Sequence, residues 1–98
     1  MAKALIYDSP DGKNQQVWVF CPGCNTHHAF TTKHPGPFKP WTWNGDVEKP
    51  TFSPSLLCNA SYPESRCHSF VKDGKIQFLS DCFHQLKNTT VELPDIDL

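Results

Sequence analysis

The stretch CHSFVKDGKIQFLSDCFH, residues 67–84, packs two cysteines, two histidines and two aspartates around an Asp-Gly pair. Two chemistries use such groups. Thiolates and imidazoles bind a metal ion such as zinc. An imidazole beside a carboxylate is the orienting pair of a Ser-His-Asp triad. A second cluster, Cys21-Pro22-Gly23-Cys24, has the spacing of a zinc knuckle, where two thiolates curl around one ion and glycine allows the tight turn. A redox pair uses the same spacing, but a thioredoxin-type pair expects a helix after it. The following NTHHAFTT does not read as one.

Strand parity sorts the remaining candidates. With Asp73-Gly74 as a two-residue hairpin turn, Lys72 pairs with Lys75, Val71 with Ile76, Phe70 with Gln77 and Ser69 with Phe78. Continued outward, the same register sets His68 against Leu79 and Cys67 against Ser80. Side chains alternate faces, and cross-strand partners share one. Cys67, Cys82 and His84 therefore point one way, and His68 and Asp81 the other. The expected metal ligands are Cys21, Cys24, Cys82 and His84, with Cys67 as substitute and His28 in reserve. The expected cofactor is a structural Zn2+. Cys58 reads as a small buried hydrophobe, and His27, His28 and His34 as polar loop residues.

On the second face, His68 and Asp81 need a hydroxyl nucleophile. The segment Pro50-Thr51-Phe52-Ser53-Pro54-Ser55 offers two, Ser53 and Ser55, stiffened by prolines. Pro54 has no N–H, so the residue after Ser53 cannot serve an oxyanion hole, whereas Leu56 after Ser55 keeps its N–H. Asn44 is a candidate side-chain donor to the oxyanion. Unaided, a His near an Asp is more often an ordinary hydrogen bond, and PTFSPS a rigid turn.

The elements that must hold these residues are strands. KALIYD (3–8) and QQVWVF (15–20) read as strands joined by the turn SPDGKN, with NTHHAFTT as a return strand. Residues 33–54 are proline-rich and form neither a continuous helix nor a central strand. The aromatics Phe38, Trp41, Trp43 and Phe52 mark this segment as an ordered loop. PSLLCNA, RCHSFVK, KIQFLSDCFH and TTVELP supply further strands. The expected fold is mostly β: a small single domain over residues 1–98, with a zinc-ribbon-like knuckle, antiparallel hairpins and a long proline-rich loop.

Ninety-eight residues with nine prolines leave a modest core, which a metal would help to hold. The net charge of −1, with scattered Lys and Arg, counts against a nucleic-acid partner. There is no apolar run of membrane-spanning length and no signal-peptide core, so a cytoplasmic protein without a membrane partner is expected. The odd count of five cysteines then favours metal or redox chemistry over a disulfide framework.

WNGDVEKPTFSPSL, CHSFVKDGKIQFLSDCFHQL and TVELP together resemble a family of small phage and prophage proteins often labelled "ammonia monooxygenase", a label these residues do not support. The likeness covers residues 20–94 and is weakest over 25–40. The family pattern matches at Cys21, Cys24, Asn44, Thr51, Ser53, Ser55, Cys67, His68, Asp81, Cys82 and His84. Relatives stand beside bacterial ubiquitin-like conjugation genes. The resemblance implies a zinc-stabilised serine peptidase acting on a protein tail, such as that of a ubiquitin-like protein. A metallohydrolase with an open metal position, and a non-catalytic zinc-ribbon binding module using Trp41 and Trp43, are the competing readings.

Overall fold

The structure, a computed structural model, describes residues 2–37, 39–59, 61, 62 and 64–96. These form nine strands and no helix, in three antiparallel sheets. The first sheet contains β1 (Leu5–Asp8), β2 (Gln15–Cys21) and β3 (Thr26–Lys33) in chain order. The second pairs β4 (Thr42–Trp43) with β5 (Phe52–Ser53). The third orders β6 (Leu56–Cys58), β7 (Cys67–Lys72), β8 (Lys75–Phe78) and β9 (Thr90–Glu92). No helix among the described residues is long and apolar enough to cross a membrane.

Alternation sets the core. Val17, Val19 and Cys21 of β2 turn inward, as do Phe30 of β3, Cys67, Ser69 and Val71 of β7, and Ile76 and Phe78 of β8. The proline-rich segment closes over them. It contains two short strands, β4 and β5, which the sequence pattern does not announce, since each spans only two residues. Phe52 stacks on Phe30 with ring centroids 4.0 Å apart, and Trp41 meets Phe30 edge-on at 5.5 Å. Trp43 lies over Phe52 at 6.2 Å. Both tryptophans are thus packed on the core, where an interface anchor would stand free. Phe38, the remaining aromatic of that segment, lies outside the described residues.

The β7–β8 hairpin has the expected register, from Lys72↔Lys75 to Ser69↔Phe78. Asp73 and Gly74 have φ of 51° and 77°, the left-handed pair that matches strand twist across a two-residue loop. The second strand is shorter than its apolar pattern suggests. Leu79 N–H still donates to His68 O at 3.0 Å, but Cys82 N–H turns back to Leu79 O at 3.2 Å. Alternation therefore ends before Cys82 and His84, and tertiary contacts place both.

Candidate active site and metal centre

The outer face of the third sheet carries the first constellation. His68 lies on β7 between two inward-pointing residues, so its ring stands on the solvent side. Leu56 is the cross-strand partner of Ser69, so Ser55, one residue earlier, comes level with Phe70 and diagonal to His68. Ser55 Oγ lies 3.1 Å from His68 Nε2. Both Asp81 carboxylate oxygens lie 3.2 Å from His68 Nδ1. An ionised carboxylate only accepts, so Nδ1 carries the proton and Nε2 accepts from the Ser55 hydroxyl. The His68 and Asp81 side chains are 25% and 40% exposed, open enough for a substrate to reach. Asp81 arrives from the turn after β8, and Phe83 N–H donates to Arg66 O at 2.9 Å, tying that turn beside the start of β7.

The other expected catalytic residues stand elsewhere. Ser53 is exposed on β5, opposite Thr42, with no hydrogen bond to His68 among the described residues. Asn44 organises its own loop. Its Oδ1 accepts from Asp46 N–H and Thr51 N–H, each at 3.2 Å, and its Nδ2 donates to Lys49 O at 2.9 Å. This is the local side chain-to-backbone bonding that asparagine offers a turn. These bonds engage Oδ1 and one of the two Nδ2 hydrogens within the loop.

The opposite face carries the second constellation. One ligand atom from each of Cys21, Cys24, Cys67 and His84 lies within 4.8 Å of the others. Cys21 ends β2 and Cys24 closes the turn into β3, with Cys24 N–H donating to Cys21 Sγ at 3.3 Å. His84 Nε2 lies 3.6 Å from Cys67 Sγ. Glycine is needed at position 23, because a Cβ there would sit 2.2 Å from the His84 ring. The knuckle is thus open on the side where the imidazole enters.

The electrostatics call for a cation. The Cys67 hydrogen bond holds the Cys21 thiol down at about 4, against burial. The same contact, with burial, pushes Cys67 well up, and burial foremost raises Cys24 to about 12. Three thiols this close cannot all ionise alone, and a bound cation lets them do so. Burial lowers the His84 pKa, which favours the neutral imidazole that coordination needs. The donor set, its closeness and the glycine cradle fit a metal ion.

Cys82 is the expected ligand that the cluster leaves out, and Cys67 stands in its place. The strand ends before Cys82, so parity no longer governs it. Its Sγ accepts from His68 N–H at 3.1 Å and its thiol donates to His68 O at 3.0 Å. Cys82 thus grips the backbone of the histidine that meets Ser55. Sequence reading missed this role, since nothing in a cysteine's spacing separates a ligand from a backbone clamp. It also missed the partnership of Cys58 with His28, whose Nδ1 is 3.7 Å from Cys58 Sγ. Burial opposes the charged His28, but hydrogen bonds to Cys21 and Cys58 outweigh it and raise the pKa to about 9. His28 is thereby a supporter of the Cys21 thiolate. His27 packs against Trp18 and Phe20, and His34 Nδ1 accepts from Gly36 N–H.

Residues 1–79 match the BubE family, described as the serine protease of a bacterial ubiquitination-like system, and the chain belongs to that family. The matched span includes Cys21, Cys24, Ser55, Cys67 and His68, and stops short of Asp81 and His84. No curated protein and no solved structure matches the chain.

Proposed function

We propose that this BubE-family chain is a zinc-stabilised serine peptidase of the Ser-His-Asp type, cleaving a protein tail such as that of a ubiquitin-like protein. The observation that carries this reading is the relay from Ser55 Oγ through His68 to Asp81, at 3.1 and 3.2 Å. Ser55 attacks the scissile carbonyl as His68 Nε2 takes its proton. His68 then gives that proton to the leaving amine, and Asp81 stabilises the imidazolium between the two steps. Water, deprotonated by the same nitrogen, releases the acyl group from Ser55.

Of the oxyanion donors the sequence offers, Asn44 or a backbone N–H, the strand geometry supports a backbone N–H. His68 O accepts from Leu79, so His68 turns its backbone groups towards β8. By alternation Ser69 turns its groups towards β6, where Leu56 is its partner. Leu56 N–H is thereby committed to the ladder. Ser55 N–H makes no backbone hydrogen bond among the described residues, which supports it as the donor to the new oxyanion.

Cys21, Cys24, Cys67 and His84 would hold the zinc, and four protein ligands suit a closed structural shell, which leaves no position for an activated water. The ion would supply cross-linking of the knuckle to the ends of the β7–β8 hairpin. A fluorophosphonate probe should label Ser55, and the His68→Ala variant should lose both labelling and peptide hydrolysis. Unchanged hydrolysis in that variant, or labelling of Ser53 instead, would sink the assignment.

A further inference from the structure

A cleft of about 680 Å³ lies on the face of the third sheet that carries the Ser55–His68 pair, and its lining begins at Phe70 without including either residue. Phe52 and Ser53 of β5 line one side, and Phe70, Lys72, Lys75 and Gln77 of the hairpin line its floor. Phe70 follows His68 by two residues, so the cleft starts about 7 Å along β7 from the imidazole. Phe70 is 43% exposed, although its neighbours Ser69 and Val71 are buried. Beyond it the character changes. Lys72 and Lys75 are direct cross-strand partners, both exposed. Like charges set opposite each other destabilise a sheet, so this pair costs something that a bound anion would offset.

Local carboxylates only partly provide that anion. Glu92, the direct cross-strand partner of Lys75, is ion-paired with Lys3 and also interacts with the Lys75 charge, but it stands across β8 from Lys72. Asp73 also lines the cleft, which leaves one positive charge in excess among its lining residues. Lys72 has no ion pair among the described residues.

Resting on the peptidase reading above, we infer that this cleft selects an extended peptide with a bulky apolar side chain next to the scissile bond and an acidic side chain further along. The apolar group covers Phe70, and the carboxylate lies between Lys72 and Lys75. Lys72 is two residues beyond Phe70, itself level with Ser55. An extended peptide thus puts the acid about two to four residues from the cleaved bond. Lys72 and Lys75 are specificity residues here, distant from the reacting atoms.

The test is cleavage-site profiling. The full chain, loaded with zinc, digests a proteome-derived peptide library, and mass spectrometry reads residue frequencies around each cut. Asp and Glu should be enriched within four positions on one side. A Lys72→Glu, Lys75→Glu double variant should reverse the acidic-to-basic preference by about tenfold or more. A Lys72→Arg, Lys75→Arg variant should keep it. Melting curves of both variants check folding, and single Lys72→Glu serves if the double variant is unfolded. Cleavage without acidic enrichment, or a preference indifferent to charge reversal, overturns the inference and leaves the peptidase reading intact. No cleavage together with no fluorophosphonate labelling of Ser55 overturns both.

Discussion

The two faces of the β7–β8 hairpin carry adjacent residues into opposite surroundings. Cys67 is 1% exposed, among core side chains and within reach of Cys21, Cys24 and His84. His68, the next residue, stands at the surface between Ser55 and Asp81. On the proposed reading, one step along a strand separates a cross-linking chemistry from a reacting one, because a pleated strand reverses its side chains at every residue. The two faces are still coupled. A metal held by Cys67 and His84 would anchor the same two chain segments that deliver His68 and Asp81, while Cys82 grips His68 from behind.

That comparison breaks most completely if the proposed zinc is removed. Chelation, or Cys67→Ser, should abolish both folding and hydrolysis, read together by circular dichroism and by turnover. Structural zinc contributes on the order of 10 kcal/mol to small domains. Activity lost at once while the chain stays folded would move the metal to the catalytic side. Ser55→Ala should do the reverse. It should lower kcat by at least about 10³-fold with little change in melting temperature, and Ser53→Ala should not. Asp81→Asn should cost about 10³- to 10⁴-fold in kcat, again with the fold intact, since the histidine loses its tautomer rather than its place.

Smaller effects sharpen the boundary between the faces. Cys82→Ala leaves His68 N–H without its sulfur partner, and should cost about 1–3 kcal/mol in denaturant unfolding. Zinc stoichiometry should stay unchanged in that variant, and a fall in bound zinc would return Cys82 to the ligand set. Asn44→Ala removes three hydrogen bonds from one exposed loop and should cost about 1 kcal/mol, with kcat preserved. A drop of about 10²-fold in kcat would restore Asn44 as an oxyanion donor.

Much of the fold is legible in the chain. The Asp73-Gly74 turn sets a register, and that register alone assigns His68 and Phe70 to the outer face and Cys67 and Val71 to the core. The knuckle is legible because C-P-G-C combines ligand spacing with the one residue whose missing Cβ admits the His84 ring. Local rules suffice in both cases, since a two-residue turn and a four-residue knuckle leave the backbone little choice.

Tertiary structure decided the rest. Parity carried His68 correctly to the outer face but lost its authority once the strand ended at Phe78. From there Cys82 went to the His68 backbone and His84 to the thiols, through contacts no local pattern encodes. The pairing of Ser55, rather than Ser53, with His68 has the same origin. Both are serines of one stiff segment, and the β6–β7 register brings only Ser55 within 3.1 Å of Nε2. Sequence alone determined which residues could do chemistry and on which face the hairpin shows them. Packing between segments far apart in the chain determined which of them meet, because a hydrogen bond or a ligand set depends on distances that spacing along the chain does not contain.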